Sequence, residues 1–309
     1  MSLTSSPILP RRTMYWNSLN DHLKARYGTK VYKLSLSSGC SCPNREDGRG
    51  GCIFCDGAGA FAAVGDISAQ MEAAKARVAA KAGPHAKYIA YFQSFTNTYG
   101  DVEKLEGLFR RAIEGEDIVA LSIATRPDCL GEEVMAMLER LADSKPLWVE
   151  LGLQTIHPQS AAYIRRGYEL EVFDRAVEKL RAIGAEVIVH QILGLPGERL
   201  EDMLATTRYI STQDVQGVKF HLLHVLRGTD LAADYAAGKF ETMTLEEYTA
   251  ALEGCVRALR RDIVIHRLTG DGAKKDLIAP LWSGDKKRVL NTIHKAFSLH
   301  DVEQGTSLR

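Results

Sequence analysis

Lys30-Val31-Tyr32-Lys33-Leu34-Ser35-Leu36-Ser37 runs into Gly39-Cys40-Ser41-Cys42-Pro43-Asn44-Arg45, then Gly50-Gly51-Cys52-Ile53-Phe54-Cys55, and this stretch decides the fold. Its first residues alternate apolar and polar side chains with the two-residue period of a strand. The cysteines come at that strand's C-terminal end. Extended or β-branched segments recur at 87–93, 118–125, 147–154, 186–193 and 217–226. Amphipathic segments at 68–81, 102–113, 132–142, 171–183 and 199–210 separate them. Such βα alternation requires helical crossovers between parallel strands. It predicts a partial, six-stranded (β/α)6 TIM-like barrel, with chemistry on the loops at the strand C-termini.

The flanks differ from this core. Residues 1–29 read as an extension with a short helix over 15–27, residues 30–228 as the barrel, and residues 229–309 as an α/β cap and candidate substrate-binding segment. Within the cap, a helix is expected at 244–261, a short strand at 263–268 and a helix from 285 onward.

Composition narrows the function. The 309 residues are 45% hydrophobic and 25% charged, as a folded globular chain requires. The 39 Lys plus Arg match 39 Asp plus Glu, which removes any whole-molecule field that would hold nucleic acid or an anionic membrane nonspecifically. No window reaches the roughly 18 apolar residues of a membrane span, and the N-terminus lacks the apolar run of a secretory signal, so a cytoplasmic protein with no membrane partner is expected. Four of the six cysteines crowd into Cys40–Cys55, which in a reducing compartment suggests metal before disulfide.

Two metal readings follow from the spacing. Cys52-x-x-Cys55 turns two thiolates toward one metal. A structural zinc would use Cys40, Cys42, Cys52 and Cys55 in a closed tetrahedron, making a noncatalytic binding module. An iron–sulfur cluster held by three thiolates would leave one iron open to a small ligand. The single-residue spacer between Cys40 and Cys42 chelates one ion awkwardly.

The loop Cys42-x9-Cys52-x2-Cys55 resembles that of the radical S-adenosylmethionine enzymes of the YhcC/YtqA type, relatives of the Elongator catalytic subunit. The likeness extends through Tyr91-Phe92-Gln93-Ser94-Phe95-Thr96-Asn97, Ala124-Thr125-Arg126-Pro127-Asp128-Cys129 and Glu150-Leu151-Gly152-Leu153-Gln154-Thr155. It continues in Arg165-Arg166-Gly167, Ile192-Leu193-Gly194-Leu195-Pro196-Gly197-Glu198 and His266-Arg267-Leu268-Thr269-Gly270-Asp271. The resemblance implies a 4Fe-4S cluster on Cys42, Cys52 and Cys55, with Cys40 a bystander. S-adenosyl-L-methionine would chelate the open iron and be cleaved reductively to a 5′-deoxyadenosyl radical. An electron donor such as flavodoxin or ferredoxin is implied as a partner.

Further roles attach to each strand end. Gln93, Ser94, Thr96 and Asn97 are expected at the cofactor's amino group, although Thr96 and Asn97 would equally cap a helix. Glu150 shares a face with Gly152 and Gln154, and such a carboxylate in an apolar strand binds a cation or pairs internally, with Arg126 the expected partner. The resemblance places Gln154 and Arg166 near ribose and carboxylate, and Gly194 and Leu195 beside adenine. Cys129, past a strand end, is a candidate hydrogen or electron donor; a buried inert thiol is the alternative.

His190, His221 and His224 read as core or cavity residues. His266 and Arg267 precede a Gly270-Asp271-Gly272 loop and, with Lys274 and Lys275, are candidate substrate contacts. Basic clusters stand at Arg11, Arg12, Lys24, Arg26 and Lys30, and at Lys274, Lys275, Lys286, Lys287, Arg288 and Lys295; both would grip phosphates or form solvated faces. The kinship points to remodelling of a wobble uridine side chain in tRNA, with a small metabolite or protein substrate as the alternative.

Overall fold

The computed structural model describes residues 15–46, 48, 50–55, 65–270 and 274–308. The strands are β1 (Val31–Leu36), β2 (Lys87–Phe92), β3 (Ile118–Thr125), β4 (Leu147–Gln154), β5 (Glu186–Leu193), β6 (Gly217–Leu222), β7 (Val225–Leu226), β8 (Val264–Arg267) and β9 (Leu277–Ala279). The helices are α1 (Leu19–Tyr27), α2 (Pro43–Glu46), α3 (Ile67–Val78), α4 (Val102–Ile113), α5 (Glu132–Ala142), α6 (Pro158–Tyr163), α7 (Leu170–Ala182), α8 (Leu200–Thr212), α9 (Asp230–Ala236), α10 (Leu245–Ala258) and α11 (Lys286–Leu299).

The main sheet runs β1-β2-β3-β4-β5-β6-β8, every neighbour parallel, as the expected partial α/β barrel. It has seven strands where six were expected: β8, read from sequence as part of the cap, pairs with β6 through Gly217↔Val264 and Val218↔Ile265. The segment expected to continue β6 through Leu226 breaks after Leu222, and β7 pairs antiparallel with β9 in a separate two-stranded ribbon.

The helices form where caps and periodicity place them. Asp101 accepts from Lys104 N at the start of α4, and Thr244 and Glu247 form a reciprocal capping box on α10. The apolar stripe of α4 buries Leu105, Phe109, Ala112 and Ile113, with Phe109 meeting Phe92 of β2 edge to face at 4.8 Å between ring centroids.

Inside the barrel, three layers stack. At the base, Leu23 of α1 packs with Ile89, Ala120, Trp148 and Ile188, so α1 plugs the end at which the strands begin. Residue 18 also forms a parallel bridge to Ile265 of β8, and Ile265 N donates to Asn17 O at 2.8 Å. The middle layer is polar and takes one residue from each of six strands. Glu150 accepts from Lys33 Nζ (3.0 Å), Tyr91 OH (3.0 Å), Ser122 Oγ (2.9 Å), His190 Nε2 (2.9 Å) and Lys219 Nζ. Burial alone would raise the Glu150 pKa, yet Lys219, Lys33 and His190 outweigh it and hold the carboxyl well below its usual range.

Arg126 is therefore not the partner of Glu150. The β3–β4 register sets Ala124 beside Glu150, leaving Arg126 beyond the strand, where it binds Asp128 through two hydrogen bonds of 2.9 and 2.7 Å. The top layer is the candidate site.

Candidate active site

The cysteine loop is organised by its own backbone. Arg45 N donates to Cys42 O and Cys55 N to Cys52 O, both at 2.9 Å, turning the chain tightly at each end of the loop. Asn44, almost fully buried, ties the loop to the β4–α7 connection. Its Nδ2 donates to Arg165 O at 2.6 Å and lies 3.6 Å from Cys52 Sγ, while its carbonyl accepts from Gly51 N at 3.0 Å. Gly167, at φ +85°, leaves room for that amide: a Cβ there would lie 2.6 Å from Asn44 Oδ1.

Cys42, Cys52 and Cys55 line one pocket with Arg45, Gly51, Phe54, Gln93, Phe95, Thr96, Arg126, Glu150, Gly152, Gln154, Arg166, Tyr168 and His190. Burial pushes the Cys52 thiol up to about 11, so binding a metal there releases a proton. Arg45 Nη1 stands 3.5 Å from Cys55 Sγ. Donors aimed at two of the three sulfurs fit an iron–sulfur cluster, whose thiolates are stabilised by such contacts.

Cys40 has turned away. A Cβ on Gly100 would lie 3.2 Å from its sulfur, and the side chain packs with Leu105 against the main core. Among the described residues, no group of three His, Cys, Asp or Glu is arranged to hold a single metal ion.

The remaining expected residues divide by position. Gln93 and Thr96 face the pocket. Ser94 is buried and does not line the pocket, and Asn97 is a structural tie: its Nδ2 donates to Phe92 O (3.1 Å) and Ala124 O (2.8 Å), and its Oδ1 accepts from Ser38 Oγ (2.7 Å). Arg126 and Arg166 both line the pocket and flank the Tyr168 ring at 5.2 and 4.7 Å from its centroid. Arg166 also donates to Leu153 O, Thr155 O and Tyr168 O, which fixes the end of β4. Gln154 reaches the pocket from a left-handed backbone, φ +67°, where the β4–β5 register shifts.

Gly194 and Leu195 do not reach this pocket. They line a separate groove with Met243 and α10, and a Cβ on Gly194 would lie 2.9 Å from Met243 Sδ. Cys129 likewise lies on an outer groove beside Pro43, Glu46, Thr98 and Tyr99, and burial pushes its thiol up to about 12.

His266 meets Trp148 of the base layer with ring centroids 5.2 Å apart, where the irregular β6–β8 register turns it inward rather than toward the mouth. Arg267 stands beside Lys219 across the β6–β8 pair. Lys274 and Lys275 are exposed just before β9. Asp271 and Gly272 lie outside the described residues, as do Arg11 and Arg12.

Lys24 and Arg26 occupy the plugged end: Arg26 pairs at 2.6 Å with Glu186, the first residue of β5. That basic group is therefore remote from the cysteines.

Sequence reasoning missed Phe54, Tyr168 and the convergence on Glu150. The available signal was a lysine inside each of two apolar parallel strands, Lys33 and Lys219, a placement that demands a buried anion.

A parallel half-barrel with three thiols and a pocket at its mouth is the arrangement expected of an iron–sulfur radical enzyme that uses S-adenosylmethionine. The Radical SAM superfamily model matches residues 37–210, and the Radical_SAM C-terminal domain model matches residues 215–298. The chain belongs to the radical SAM superfamily, whose members carry a 4Fe-4S cluster and S-adenosylmethionine.

It is 40% identical over 296 residues to the uncharacterized protein YtqA of Bacillus subtilis, covering 94% of this chain and 92% of that one. It is 34% identical over 298 residues to protein YhcC of Escherichia coli, covering 94% and 95%. A shorter match, 31% identical over 132 residues, joins 42% of this chain to 24% of a tRNA uridine(34) acetyltransferase of Methanocaldococcus jannaschii. The solved structure of Methanocaldococcus infernus Elp3 shares the fold, with TM-score 0.71 and 18% identity over 89% of this chain and 64% of that one. No helix among the described residues is long and apolar enough to cross a membrane.

Proposed function

We propose that this enzyme remodels the side chain of a modified wobble uridine in tRNA, in the cytoplasm, with a flavodoxin or ferredoxin as reductant. The observation that carries the reading is the set of exposed basic residues that flanks β9 in sequence. Lys274 and Lys275 precede β9, which pairs with β7, and Arg227 N donates to Asp276 O at 2.7 Å. Lys286, Lys287 and Arg288 are exposed at the start of α11, close in sequence to Ser283, whose hydroxyl lies 3.1 Å from His224 Nε2. Such exposed cations suit a polyanion whose reactive base enters the barrel. The partial likeness to a tRNA uridine(34) acetyltransferase supports the same class of substrate.

Cys42, Cys52 and Cys55 would hold the cluster, which when bound supplies the electron for reductive cleavage of S-adenosylmethionine to a 5′-deoxyadenosyl radical. The chain's own residues do the rest. Asn44 and Arg45 orient and neutralise the sulfurs. Gln93, Thr96, Gln154 and the two arginines offer polar contacts for the amino acid and ribose of the cofactor.

The test compares modified nucleosides of tRNA from cells with and without the gene. A change in one wobble uridine derivative is expected. An unaltered profile refutes the proposal.

A further inference from the structure

A second chamber opens beside the cofactor pocket. Phe54, Gln154 and His190 line both, and Ile192, His221, Leu222, Leu223, His224 and Leu226 complete it. An occupant would therefore border the pocket that the three thiols line. Its walls are apolar except for the imidazoles and the Gln154 amide.

The protonation of those imidazoles follows from their partners. His190 Nε2 lies 2.9 Å from the Glu150 carboxylate, which only accepts, so that nitrogen carries the proton and Nδ1 presents a lone pair. The Ser283 hydroxyl donates to Pro280 O at 2.8 Å; it therefore accepts from His224 Nε2. His221 stands against His190 with ring centroids 4.9 Å apart, and its Nε2 is buried with no hydrogen-bond partner among the described residues.

Such a nitrogen costs free energy unless something joins it. Burial holds His190 and His221 neutral, with His190 lowered to about 4. Lys219 and Arg267 nearby oppose a further positive charge.

We infer that the His190–His221 pair is a specificity device that accepts an N–H from a neutral planar heterocycle, the substrate base, seated against Phe54 in the chamber. A charged ring gains nothing from neutral imidazoles, and a purely apolar one would leave their lone pairs unmet. The imide edge of a uracil ring supplies such an N–H. The choice of uracil rests on the RNA reading above; the preference for a neutral N–H donor rests on the chamber alone.

The experiment uses reconstituted holoenzyme with S-adenosylmethionine and no reductant. Binding of uridine and of 3-methyluridine, which lacks the imide proton, is measured by saturation-transfer NMR. Binding of anticodon stem-loop RNA carrying either base at the wobble position is measured by fluorescence anisotropy.

The wild type should prefer uridine about two- to tenfold, the value of one neutral hydrogen bond. His221→Phe should lower the preference. His221→Asn or His221→Gln should restore part of it by returning an amide acceptor near Nδ1 or Nε2. Should His221→Phe fail to fold by circular dichroism, the wild-type nucleoside comparison alone decides.

Equal binding of the two nucleosides, or binding of neither, overturns the inference. Discrimination between nucleosides with no RNA binding upholds the chamber and removes the RNA reading instead.

Discussion

Replacing Glu150 with Gln tests the polar middle layer most directly. The carboxylate is the one anion described in that layer, and it faces Lys33 and the almost fully buried Lys219. An amide keeps the shape but turns an NH2 toward a shell of donors, leaving the Lys219 ammonium uncompensated. Breaking a buried pair from one side costs roughly 3–5 kcal/mol. Lys219→Met should cost less, about 1–3 kcal/mol, because Glu150 keeps Lys33, Tyr91, Ser122 and His190. In the double variant the losses should be less than additive, since no lone buried ammonium remains.

The assay is urea unfolding of the cluster-free protein for all four forms. The pH dependence has a definite sign. With its folded pKa depressed, Glu150 stabilises fully above its unfolded pKa of roughly 4.3 and loses that contribution as pH falls toward the folded value. The gap between wild type and Glu150→Gln should therefore narrow below about pH 4. A cost under about 1 kcal/mol for Glu150→Gln, or one equal to that of Lys219→Met, refutes the reasoning.

Three further outcomes are expected. Alanine at Cys42, Cys52 or Cys55 should abolish the brown chromophore and 5′-deoxyadenosine formation after anaerobic reconstitution, whereas Cys40→Ala should leave both largely intact; optical spectra and product analysis decide. Gly167→Ala forces a methyl to within 2.6 Å of Asn44 Oδ1 from a left-handed backbone, so iron retained after gel filtration should fall well below wild type. Lys274→Ala with Lys275→Ala should weaken tRNA binding and lower the slope of log affinity against log salt by about 2, measured by filter binding at several salt concentrations.

Much of the architecture was legible because helix and strand periods are local. The boundaries of α4 and α5 coincide with the expected segments, since their apolar stripes lie within the elements themselves. The cysteine loop was readable for the same reason: its ligand spacing is a property of a short stretch.

What the sequence concealed depends on register between distant strands. Arg126 looks like a partner for Glu150 until the β3–β4 pairing carries it past the strand end, and Lys219 is separated from Glu150 by two strand-to-strand crossovers. His266 and Gly194 were misplaced for a kindred reason, one through an irregular register and the other because Met243 from a remote segment occupies the space beside it.

The bridge from Ser18 to Ile265 bears on how the molecule avoids its own kind. A half-closed sheet ends in a border of unsatisfied amides, which invites a foreign strand to add on. Here the chain's early residues occupy that border on β8. Removing Asn17 and Ser18 would thus unmask a template for aggregation at that border.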